Sequence, residues 1–179
     1  FERAAAEGRN DLTPATLVDD SPTTFTTGAD EDWTPNNYEN EYDGIITLRR
    51  ALALSRNVAT IKVAETAGFD KVAALWDKIG VGTNAHAYPS ITLGVFEATP
   101  YEIATAYTLF PNGGQIRPLR VLSRVVAGGK TTVPADLPQK KIARPDTTYL
   151  VVNMMRSVLN EGTGASARAG GFALDAAGK

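Results

Sequence analysis

The chain has 179 residues, 43% of them hydrophobic and 21% charged, which suits one domain with a real core and excludes a disordered segment. A formal net charge of −2 supplies no basic excess, so nucleic acid is not an expected partner, and the Lys140-Lys141 pair reads as a solvated face. The absence of cysteine removes disulfides and thiolate chemistry, the lone His86 has no neighbours at metal-ligand spacing, and no run reaches the ~18 apolar residues of a membrane span.

In chain order, the alanine-rich run from Phe1 to Glu7 reads as the tail of a helix that meets Gly8. From Asn10 to Asp43, Pro14, Pro22 and Pro35 and many threonines predict irregular structure. Short strands are expected inside it, because so long a pure loop is rare in a compact domain. Thr47 is placed to cap a short helix through Leu54, and Asn57 to cap a second one with Val58, Ile61 and Ala64 on one face. Phe69, Val72, Ala73, Trp76 and Ile79 follow the period of a third helix that stops at Gly80.

Thr99-Pro100-Tyr101-Glu102 is a capping box with proline at the first helical position, and it predicts a helix to near Phe110, ahead of Gly113-Gly114. Leu119 to Val126 is β-branched and partly alternating, and Gly128-Gly129 suits a hairpin turn before Thr131-Thr132-Val133. A long final helix is expected from Pro145-Asp146 to Gly162, burying Leu150, Val151, Met154 and Val158, with both methionines as core packing.

The residues with most chemical content are Ser55-Arg56-Asn57, directly after the Thr47 to Leu54 helix. A hydroxyl can donate and accept at once, and a carboxamide two positions on can point into the same cleft. With six serines and nine asparagines, such a triplet arises by chance in about one chain of this size in three, so its surroundings must carry the argument. Glu97, Glu102 and Asp43 do not read as a pair for glycoside hydrolysis, since Glu102 has a capping role and nothing brings Asp43 near Glu97. Gly162-Thr163-Gly164 lacks the ending of a phosphate loop and reads as a turn after a helix.

Trp33-Thr34-Pro35-Asn36-Asn37-Tyr38, Tyr42-Asp43-Gly44, Thr47-Leu48-Arg49 and Ser55-Arg56-Asn57 together resemble the transpeptidase domain of class A penicillin-binding proteins. The resemblance resumes from Leu93 through Ala104, at Ala106-Tyr107 and at Asn112-Gly113-Gly114. It ends with Gly162-Thr163-Gly164 and Ala177-Gly178-Lys179. That family carries Ser-x-x-Lys, a Ser-x-Asn triplet and Lys-Thr-Gly. None of the six serines here has a lysine three residues later, and the chain ends at Lys179.

Residues 1–179 are therefore expected to be an internal segment of one transpeptidase domain, starting after Ser-x-x-Lys and ending at the lysine of Lys-Thr-Gly. The implied fold is α+β, mostly helical with β-hairpins, the main antiparallel sheet lying largely outside the chain. The implied activity is a serine-type D-Ala-D-Ala transpeptidase acting on peptidoglycan stem peptides, inhibited by β-lactams. It needs no cofactor and no metal, lies on the periplasmic face and has a membrane anchor outside this chain.

In that scheme Ser55 relays a proton between the absent motif's lysine and the departing amine, and Asn57 binds the donor backbone. Lys179 holds the donor carboxylate and keeps the absent base neutral, a neighbouring cation disfavouring its protonation. Arg56, between two inward-facing residues, is expected to point elsewhere. By the same reading the 179-residue chain alone is inactive, having no nucleophile. The alternative is a non-catalytic member of the fold that binds a peptide or a partner protein. A β-lactamase fits less well, because the Leu93 to Gly114 segment looks like the synthetic enzymes.

Overall fold

A computed structural model describes residues 1–27, 32–82 and 85–179. Its architecture is helical with short antiparallel strand pairs. Helix α1 spans Glu2–Ala6, then β1 Leu17–Asp19, β2 Phe25–Thr26 and β3 Asp32–Trp33 occupy the proline-punctuated stretch. Next come β4 Ile45–Thr47, α2 Leu48–Ala53, α3 Asn57–Ala67 and α4 Phe69–Ile79. Helix α5 Pro100–Tyr107 precedes β5 Gln115–Ile116, β6 Val125–Ala127, β7 Lys130–Thr132 and β8 Lys140–Lys141, and α6 Pro145–Glu161 and α7 Ala165–Ala169 follow. The pairs are β1 with β4, β2 with β3, β5 with β8 and β6 with β7, all antiparallel.

Helix α3 is the hub. Its Val58, Ala59 and Ile61 are fully buried, the first and last packed with Phe25 and flanked by Trp33, Tyr42 and Phe69. Ala59 sits with Ile46 and Ala51, with Val18 packed against them. Burying each of these larger side chains contributes about 1.5–3 kcal/mol, so the core forms where α3 crosses the β1–β4 pair and α2.

Arg49 ties α2 to α6: its guanidinium donates to the Asn153 carbonyl at 2.9 Å, to Asn153 Oδ1 at 2.6 Å and to Ser157 Oγ at 3.2 Å. These contacts fix α2 against a helix of 17 residues and thereby fix where the chain emerges at Ser55.

Local signals worked where the partners are close in sequence. Thr47 caps α2 by accepting from the Arg50 N–H at 3.2 Å. Thr99 and Glu102 form the reciprocal box on α5, and Gly80 ends α4 in the left-handed region. Four expectations need correction. Asn57 is the first helical residue of α3, not its cap. Helix α5 ends at Tyr107, its run to Phe110 continuing only as turns. Leu150 and Val151 are half-buried, while Met154, Met155 and Val158 carry the buried face of α6. The β-branched stretch from Leu119 becomes a strand only at Val125; Val121, Val126 and Val133 are exposed, and among the described residues no further strand pairs with the β6–β7 hairpin.

Candidate active site

Ser55 lies on the turn that ends α2. Leu54 closes the helix, the Ser55 N–H donates to the Leu52 carbonyl at 3.2 Å, and the Arg56 N–H reaches back to the Ala51 carbonyl at 3.0 Å. This pair of bonds is the Schellman ending, whose left-handed position is normally glycine. Here a serine occupies it, with φ of 58°. A left-handed conformation costs a residue with a Cβ roughly 1–2 kcal/mol. The side chain is exposed and makes no hydrogen bond to any described residue. Nothing in the local structure repays that strain.

Helix α3 begins immediately afterwards, and its start is unusual. The position that normally supplies a capping oxygen is Arg56, whose side chain has only donors. The orphan amides are satisfied from elsewhere: Val58 N–H donates to Asn37 Oδ1 at 3.1 Å, and Ala59 N–H to Asp20 Oδ1 at 3.3 Å. Asp20 is fully buried. Its other oxygen accepts from Asn37 Nδ2 at 2.9 Å and from the Asp43 N–H at 3.1 Å. Arg56 Nε lies 2.6 Å from Asp43 Oδ2 and 3.7 Å from Asp20 Oδ2, and its Nη1 donates to the Glu41 carbonyl at 3.2 Å.

Arg56 does point away from the Ser55 side, into this acidic cluster. Its hydrogen bond holds the Asp43 carboxyl below the usual carboxylate range, against the opposing effect of burial. Asn57 Nδ2 donates to the Asn36 carbonyl at 2.8 Å, so that amide is already oriented, and the side chain is half-buried beside an exposed Ser55. Neither residue is packed in an apolar core.

The other flank is fixed by the 162–164 turn. Thr163 N–H donates to the Ala53 carbonyl at 3.0 Å, satisfying one orphan acceptor at the end of α2. Gly162 comes so close that a Cβ there would stand 2.1 Å from the Ala53 oxygen. Glycine is required here by proximity, since its φ of −110° is open to other residues.

Lys179 is less directly placed. Its carbonyl accepts from Tyr107 Oη at 3.2 Å, and the preceding Gly178 N–H donates to the Met155 carbonyl at 3.4 Å, which lays the segment along α6. Partial burial pushes its ammonium below the usual lysine range. Lys179 makes no hydrogen bond or ion pair with Ser55 or Asn57 among the described residues. Ser55 and Asn57 flank Arg56 where α2 passes into α3, with no hydrogen bond between their side chains among the described residues, and Lys179 is not joined to either. A cavity lined by Phe1, Ala4, Leu12, Arg144, Thr147 and Tyr149 lies at the opposite end of α6 from Gly162, and none of the three candidates lines it.

The discarded carboxylates have structural partners: Glu102 takes the Thr99 N–H at 2.7 Å, and Asp43 takes Arg56. His86 is exposed, its ring 5.9 Å from that of Tyr88, and the neighbouring Thr83 and Asn84 lie outside the described residues. Sequence reasoning missed Asp20, Asn37 and the docking of Gly162. The one available signal was a helix-breaking point at Leu54-Ser55 without a glycine.

Comparison with known proteins agrees with the architecture. The family model described as penicillin binding protein transpeptidase domain matches residues 3–179. Penicillin-binding protein 1B of Vibrio cholerae serotype O1 is 34% identical over 152 residues, covering 84% of this chain and 20% of the relative. Penicillin-binding protein 1A of Neisseria cinerea is 32% identical over 179 residues, 94% of this chain and 22% of the relative. The crystal structure of penicillin-binding protein 1A from Haemophilus influenzae superposes with a TM-score of 0.78 at 22% identity, over 89% of this chain and 30% of that one. The chain thus spans about a fifth of the length of these curated relatives.

Proposed function

Because the chain belongs to the penicillin binding protein transpeptidase domain family, we propose that it is an internal segment of a peptidoglycan D-Ala-D-Ala transpeptidase of the class A type. Residues 1–179 supply the middle of one catalytic domain, in a protein anchored to the membrane with its catalytic domain on the periplasmic side. The reaction runs through a serine acyl-enzyme whose Ser-x-x-Lys lies outside this segment, so the segment by itself forms no adduct.

One observation carries the reading. Ser55 pays for a left-handed backbone where glycine would be at ease, and its hydroxyl serves no described residue. Strain of this kind points to a role outside the fold. The role that fits is proton relay: the hydroxyl takes a proton from a neighbouring base and passes it to the departing amine, or to the lactam nitrogen of an inhibitor. Asn57, oriented by the Asn36 carbonyl, aligns the donor peptide. Lys179 supplies a cation for the terminal carboxylate and, by its charge, favours the neutral form of the catalytic lysine.

The test is adduct mapping on the full-length protein. A fluorescent penicillin should acylate one serine, and digestion should place the label on a peptide outside residues 1–179. Label on Ser55 or on any of the other five serines here would overturn the assignment. An unlabelled but folded full-length protein would favour the non-catalytic binding member of the fold.

A further inference from the structure

We propose that Asp20, Asn37 and Arg56 form a remote cap that positions the Ser55 hydroxyl and the Asn57 amide for acyl transfer; the inference rests on the relay role given to Ser55 above. Helix α3 must have its first amides satisfied, and an ordinary helix does this with the side chain just before it. Arg56 cannot, because a guanidinium accepts nothing. The acceptors come instead from 21 and 39 residues earlier in the chain, Asn37 for Val58 and Asp20 for Ala59. A carboxylate at a helix N-terminus also meets the positive end of the helix dipole.

The three residues form one unit. Asp20 has both oxygens engaged, by Ala59 on one side and by Asn37 and Asp43 on the other. Asn37 uses both ends of its amide, accepting from Val58 and donating to Asp20 and to the Glu41 carbonyl. Arg56 supplies the compensating cation at 3.7 Å from Asp20 and, through Asp43, ties the cluster to the loop before β4. Among the described residues no buried side-chain nitrogen or oxygen lacks a partner.

Ser55 is one residue from this unit. Its left-handed backbone persists only if both sides over-determine it. On the α2 side, the Schellman bonds and the Thr163 contact to Ala53 do so. On the α3 side no local capping side chain exists, and among the described residues the side-chain acceptors for the first amides of α3 come from the remote cap. Loosening it frees α3 to rotate or fray at its first turn, and this moves the Ser55 hydroxyl and the Asn57 amide together. A displacement of about 1 Å at a reacting group can cost about 100-fold.

The experiment is a double-mutant cycle in the full-length protein, reading the second-order rate of acylation by a fluorescent penicillin. Asp20→Asn keeps the shape but replaces one of two acceptors with a donor, so either the Ala59 amide or the Asn37 and Asp43 donors lose their partner. It should slow acylation at least about tenfold in the parent protein. In a Ser55→Ala background it should cost clearly less than in the parent, because one of the two groups it positions has gone and only the Asn57 amide remains to be displaced. Melting curves establish that each variant folds. If Asp20→Asn does not fold, Arg56→Lys, which keeps the charge and loses the fork, takes its place with the same non-additive pattern expected.

An Asp20→Asn rate equal to the parent's overturns the inference. So do losses that multiply in full in the double variant, since these would mark Asp20 as core support independent of Ser55. Ser55→Ala acylating at the parent rate is a separate result: it removes the relay reading itself, and this inference with it.

Discussion

Replacing Ser55 by glycine should make the protein more stable and less active at once. The φ of 58° at Ser55 costs a Cβ-bearing residue roughly 1–2 kcal/mol, which glycine does not incur. Against this, glycine loses about 0.4–1 kcal/mol more conformational entropy on folding, so the net gain centres on about 0.8 kcal/mol. For a domain of this size that corresponds to a rise in Tm of about 1–4 °C. Ser55→Ala keeps the Cβ and the strain, and it sacrifices no hydrogen bond to a described residue, so its stability should stay within about 0.5 kcal/mol of the parent. Both variants lack the hydroxyl, and both should acylate about 10²–10⁴-fold more slowly. Urea unfolding of the transpeptidase domain, run beside penicillin acylation, separates the two effects. A Ser55→Gly protein less stable than Ser55→Ala would refute the claim of strain at this turn. A glycine variant that acylated normally would refute the relay role of the hydroxyl.

Gly162→Ala places a methyl group 2.1 Å from the Ala53 oxygen and should cost roughly 1–3 kcal/mol in urea unfolding; an unchanged midpoint would show that the 162–164 turn is not docked there. The Arg56 hydrogen bond lowers the folded-state value of Asp43, so this carboxylate stabilises the fold above its unfolded value of about 3.9 and that contribution is lost as pH falls through the lower folded value. The stability difference between the parent and Asp43→Asn should therefore be present at neutral pH and shrink on strong acidification; a difference independent of pH contradicts the pairing. Lys179→Ala should slow acylation more with a carboxylate-bearing penicillin than with its ester, and equal losses would remove the carboxylate-binding role. Asn57→Ala should impair alignment as well as affinity, lowering the saturating acylation rate together with binding.

Much of the helical layout was legible because its determinants are local. The Thr99 to Glu102 box and the Thr47 cap each close within three residues, and Gly80 stops α4 at the end of its own periodic face. The same local logic failed at Asn57. Its type suggested a cap, but its amide is spent on Asn36, and the capping oxygens arrive from Asn37 and Asp20 through the tertiary fold. Sequence spacing carries no sign of an acceptor 39 residues away. Gly162 was equally opaque, since its backbone angles do not demand glycine and only the approach of Ala53 does. The candidate site was readable as a Ser-x-Asn triplet set in a run of family-like segments. What the triplet could not reveal is that its first residue sits in a conformation normally left to glycine, and that its middle residue faces the acidic cluster behind it.

The most direct test of the relay is the pH profile of penicillin acylation for the full-length protein and its Ser55→Ala variant. At the pH of maximal rate the variant should acylate about 10²–10⁴-fold more slowly while its dissociation constant for the penicillin stays within a few-fold of the parent's, because the hydroxyl acts on the way to the transition state. A parent-like maximal acylation rate, or a loss confined to binding, would contradict the assignment of Ser55 as the proton relay.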